Sequence, residues 1–76
     1  MPKRTSLASG PIHGNARLLV ELIEPNRGQP PVIAIIWPAQ PTICEPAQLD
    51  AVVAAAMRLL ANSVVTLAGL RVQQKL

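Results

Sequence analysis

The chain of 76 residues has no phenylalanine and no tyrosine, and Trp37 is its one aromatic residue. Its core must therefore be built from Leu, Ile, Val and Ala, and a stacking platform of several aromatics for bases is excluded. One cysteine, Cys44, excludes an internal disulfide and agrees with a reducing cytoplasm. One histidine, His13, and four acids leave no spacing that reads as a metal site, and no glycine loop cradles a phosphate, so no metal and no cofactor is expected. Charge is scarce at 14%, whereas half the residues are apolar, which excludes disorder throughout. So short a chain forms one domain and has little room for a deep catalytic cleft.

The net charge of +3 sits at the ends. Lys3, Arg4 and Arg17 make residues 1–17 basic without an acid, and Arg58, Arg71 and Lys75 outweigh Asp50 in residues 47–76. The middle is acidic, with Glu21, Glu24 and Glu45 against Arg27. Lys3, Arg4, Arg17, Arg71 and Lys75 are accordingly the candidates for contact with nucleic-acid phosphates, although committed binders carry denser clusters.

All eight prolines lie at or before Pro46, so only the last thirty residues offer room for a long helix. Residues 1–16, rich in Ser, Gly and Pro, read as a flexible basic arm ahead of a single domain over 17–76. Strands are expected at about 17–24 (RLLVELIE) and 32–37 (VIAIIW), the second stopped by Pro38. The turn between them, PNRGQPP, holds Asn26 and Gly28 for positive φ. A helix is expected over about 46–69. Pro46 fits its first position, Gln48 reaches back as a capping amide, and Gly69 offers a stop before Arg71 enters the apolar arc. The sum is an α+β protomer: a β-hairpin followed by one long C-terminal helix, ββα.

Such a protomer cannot cover itself. Leu18, Val20, Leu22, Val32, Ala34 and Ile36 form one set of hairpin positions, and Leu19, Ile23, Ile33, Ile35 and Trp37 the other. Both sets are apolar, one helix covers one face, and a lone hairpin is marginal. Ten apolar helix residues, from Leu49 to Leu70, fall within about 160° of arc. A homodimer with a continuous sheet or apposed hairpins is the economical expectation. The stretch 51–70 is long enough to span a bilayer, but Arg58 and Asn62 fall in its middle, so a membrane is not the expected partner.

No catalytic constellation emerges. His13 lies in the expected arm, no basic residue stands near Cys44 in sequence, and the four acids do not converge along the chain. No catalytic residue is therefore assigned and an enzyme is not expected. Polar groups on otherwise apolar elements are the better candidates: Arg58 and Asn62 on the helix, Arg27 in the turn, and Trp37 as an anchor for a partner.

From Ile35 to Leu76 the Trp37–Pro38 pair, the Pro41–Thr42 turn and the Ala/Leu helix ending near Leu70–Arg71 resemble small uncharacterised proteins of actinobacteria and their phages, the mycobacteriophage type among them. That resemblance implies a cytoplasmic accessory protein, phage-encoded and acting on a host protein, and it carries no residue roles. The expectation is a non-enzymatic, homo-oligomeric interaction protein. The alternative is a small nucleic-acid-binding protein that uses its basic ends.

Overall fold

A computed structural model describes residues 2–26 and 28–74. Three strands, β1 (Lys3–His13), β2 (Ala16–Glu24) and β3 (Val32–Ile36), form an antiparallel sheet in the order β1-β2-β3. A 3-10 turn at Pro46–Gln48 leads into one C-terminal helix, α1 (Leu49–Gln74). The α+β class and the terminal helix are as the sequence led us to expect. The sheet has one strand more.

That strand corrects the reading of residues 1–16 as a flexible arm. Lys3–His13 has little strand preference of its own, with two serines, Gly10 and Pro11. It is a strand because it pairs along the whole of β2, from Lys3 opposite Glu24 to His13 opposite Ala16. Only Gly14 and Asn15 separate the last pair, and Gly14 takes φ 55°. A glycine with positive φ at the first of two loop residues is the hairpin arrangement that matches strand twist. Register shifts at Ser6/Ala8 and at Pro11/His13 kink β1, and between the first of these Leu7 is buried.

β2 supplies the core. Leu18 is 0% exposed and Val20 2%, on the face covered by α1. The helix lies across β1 and β2, and it comes closest where β1 has no side chain. A Cβ built on Gly10 would stand 3.2 Å from Leu59 Cδ2. The helix turns Val52, Leu59, Leu60, Ser63, Leu67 and Leu70 toward the sheet. Leu49, Val53, Met57 and Val64 belong to the same expected arc yet stay exposed, because α1 meets two strands and not the third.

Pairing of β2 with β3 corrects the expected faces. Leu22 stands opposite Ile33 and Val20 opposite Ile35. Directly opposed residues share a face. Hence Ile33 and Ile35 join Leu18, Val20 and Leu22 on the inner face, and Val32, Ala34 and Ile36 join Leu19 and Ile23 outside. The turn sets this parity, which the alternation within each strand does not reveal. In that turn Gly28 takes the expected positive φ, 92°, and Asn26 does not.

Two helix-end expectations have different outcomes. At the start, the Glu45 N–H donates to Gln48 Oε1 at 3.1 Å and the Gln48 N–H donates to the Glu45 carbonyl at 2.8 Å, as Gln48 suggested. At the far end the helix does not stop at Gly69 but runs to Gln74. Gly69 does not take the positive φ of a helix stop, and Leu70 lines the recess between α1 and the sheet instead of ending the helix.

Candidate interaction surface

The two outer strands of the sheet differ in every respect that matters for binding. β1 is covered on its inner face by α1, carries Lys3 and Arg4, and contains Pro11 and two register shifts. Each of these blunts an edge. β3 is VIAII, with no charge, no proline and no irregular pairing, and four of its five residues are exposed. No helix covers it.

Beside β3, on the inner face, the missing cover leaves an apolar groove. Its floor is Ile33 and Ile35, its wall Leu60, Val64 and Leu67, with a volume of about 230 Å³. Val64 is 68% exposed there. Helical spacing places Val53 and Met57 within about 20° of Val64 around the helix, so the wall continues toward the helix start. The groove runs on into a second recess between Pro31, Leu22 and Leu70, which shares Ile33 and Leu67 and is rimmed by Glu24 and Arg71. Trp37 follows β3 directly and is 54% exposed. It is not part of the protomer core.

The residues singled out from sequence do not form one patch. Arg58 and Asn62 are exposed, about 140° and 100° around α1 from the buried Ser63. Trp37 ends β3. Arg27 and Lys75 lie outside the described residues. Of the basic candidates, Lys3 and Arg4 begin β1 at the sheet end where Glu24 finishes β2, and Arg71 shares a recess with Glu24. The structure thus gathers Lys3, Arg4 and Arg71, and leaves Arg17 at the opposite end of β2. Arg4 is engaged, its Nη1 lying 3.4 Å from Glu21 Oε1 across the outer face. Sequence reasoning missed Ile33, Ile35 and Val64 as a joint surface; the signal was the lone hydrophobic strand for which one helix was too narrow.

Among the described residues no group of three His, Cys, Asp or Glu side chains converges. Cys44 is free. Ser63, the buried polar residue, donates its hydroxyl to the Leu60 carbonyl at 2.6 Å within its own helix and has no further partner to activate it. Residues 46–71 are long and apolar enough to cross a membrane, with a mean hydropathy of 1.7 over the best window. The same helix, however, seals Leu18 and Val20, and it carries Arg58 at mid-length, where insertion costs roughly 2.5–3.5 kcal/mol.

Comparison with protein-family models, with curated proteins and with solved structures finds no match for the chain. The fold and the surface therefore define it only as a small α+β protein with a β-β-β-α order and an uncovered third strand.

Proposed function

We propose that this chain is a non-enzymatic interaction protein that works as a homo-oligomer. One observation carries the reading: the surface is too large and too apolar in one place. A protomer of 8.1 kDa exposes 5962 Å². A monomer of that mass is expected to expose about 4,500 Å². The elongated outline, 46 × 24 × 15 Å, and the connector around Ile43 hold part of that excess of roughly 1,500 Å², and the open face of β3 holds the rest, within the range that homodimers bury. The exposed residues include Val32, Ile33, Ile35 and Ile36 of β3 and Trp37, which follows it. In this reading Arg58 and Asn62, turned away from the sheet, remain free for a host protein, and the setting is a cytoplasm that keeps Cys44 reduced. Sedimentation equilibrium at micromolar concentration tests the first step. A dimer mass is expected, and a mass of one chain contradicts it.

A second reading has one observation in its favour. Lys3, Arg4 and Arg71 stand at the same end of the molecule, where they would meet nucleic-acid phosphates. Against it, Glu21 and Glu24 sit among them. A gel shift that weakens steeply from low to physiological salt supports this reading, and no shift at low salt removes it.

A further inference from the structure

We propose that the uncovered strand pairs with the same strand of a second copy, and that Trp37 of each copy fills the recess beside the other's α1. The inference rests on the homo-oligomeric reading above and names its site. Three independent features point to a second copy as the occupant. The first is the unprotected edge itself: β3 has neither the charge, the proline nor the register shifts that blunt β1. The second is the exposed apolar area on and beside β3, at Val32, Ile33, Ile35, Ile36, Trp37 and Val64, which forms part of the excess that a pair of copies would bury.

The third is a fit of register. β3 has five residues, so a twofold axis through Ala34 sets Ile33 opposite Ile35 of the second copy and Val32 opposite Ile36. These pairs are apolar on both faces. Continued outward, the same register sets Trp37 opposite Pro31 of the second copy. Pro31, Ile33, Leu67 and Leu70 surround the recess at the helix end. Trp37 stands an even number of residues from Ile33 and Ile35, so pleating turns it to their inner face. The single aromatic residue thus reaches the recess that, among the described residues, stands open in its own chain. Because the axis is perpendicular to the sheet, both helices lie on one side of a six-stranded sheet, and the two grooves face each other across β3 and its copy.

Ala34 lies on the outer face directly opposite Glu21. Within one protomer a lysine there thus faces an opposite charge and a glutamate a like one, a difference that the circular dichroism and melting of each variant record apart from dimerisation. On the axis residue 34 meets its own copy, and like charges directly opposite each other destabilise a strand pair. The test is sedimentation equilibrium combined with emission of the single tryptophan, on the wild type, the Ala34→Lys chain, the Ala34→Glu chain and their equimolar mixture. Circular dichroism confirms folding of each. Each charged chain alone is expected to dimerise at least tenfold more weakly than the wild type, with Trp37 emission shifted to the red. Mixing the two should restore both the dimer mass and the blue-shifted emission. Trp37→Ala should weaken the dimer by roughly 30-fold, the effect of losing a hot-spot residue. If the wild type is a dimer but neither Ala34 variant weakens it, or if Trp37 emits as in water within that dimer, the strand pairing is wrong and the homo-oligomeric reading survives. A wild type that sediments as one chain defeats both.

Discussion

β1 and β3 flank the same central strand, yet one edge is finished and the other is not. Along β1, Lys3, Arg4, Pro11 and two kinks disfavour another strand, and the inner face is closed by Leu59 and its neighbours on α1. Along β3 the five residues are apolar, regular and open on both faces. A 26-residue helix is long enough for any of the three strands, but it is only about 10 Å wide. With strands about 4.8 Å apart it covers two of them. Which two is decided by Gly10, whose missing side chain lets Leu59 approach β1. The difference between the edges is thus a consequence of where the helix can come close, and it leaves β3 uncovered.

Breaking the shared centre should give the largest effect. Leu18→Ala removes a fully buried side chain and should cost about 2–5 kcal/mol in denaturant unfolding. A loss below 1 kcal/mol would show that β2 does not anchor both edges. The edges themselves are compared by placing one charge on each. Ile35→Lys in β3 should release protomers and abolish the rise of the melting temperature with concentration. Ser9→Lys, exposed on β1, should leave mass and melting temperature within error. Equal effects at the two positions would erase the distinction.

Smaller changes sharpen the reason for it. Gly10→Val pushes a branched side chain into Leu59 and should destabilise by about 1–3 kcal/mol, read by thermal unfolding at fixed concentration. If the cost is absent, close approach does not hold α1 over β1. Least of all, Arg4→Ala removes an exposed ion pair with Glu21 and should change stability by less than about 1 kcal/mol, without changing the mass.

How far the sequence was legible follows the same division. VIAIIW and RLLVELIE announced themselves as strands by branched and alternating residues, and Pro46 with Gln48 marked the helix start. Residues 3–13 did not, because serine, glycine and proline there reflect pairing with β2 and contact with α1 rather than any preference of their own. Gly14–Asn15, a two-residue hairpin signal, was the clue available. The faces of β3 were misassigned because only the turn at 25–31 fixes their parity relative to β2. The extent of α1 beyond Gly69 was not legible because a glycine with negative φ continues a helix, one with positive φ ends it, and the sequence does not distinguish them. The excess of apolar residues was readable; its location, at β3 and Val64, was not.

Hydrogen exchange read by mass spectrometry at rising protein concentration tests the difference between the edges most directly. The account predicts that amides of residues 32–36 become more protected as concentration rises through the dimerisation range, while those of residues 3–13 change only as far as global stability does. Concentration-dependent protection confined to residues 3–13, or none in residues 32–36 while the mass doubles, would contradict it.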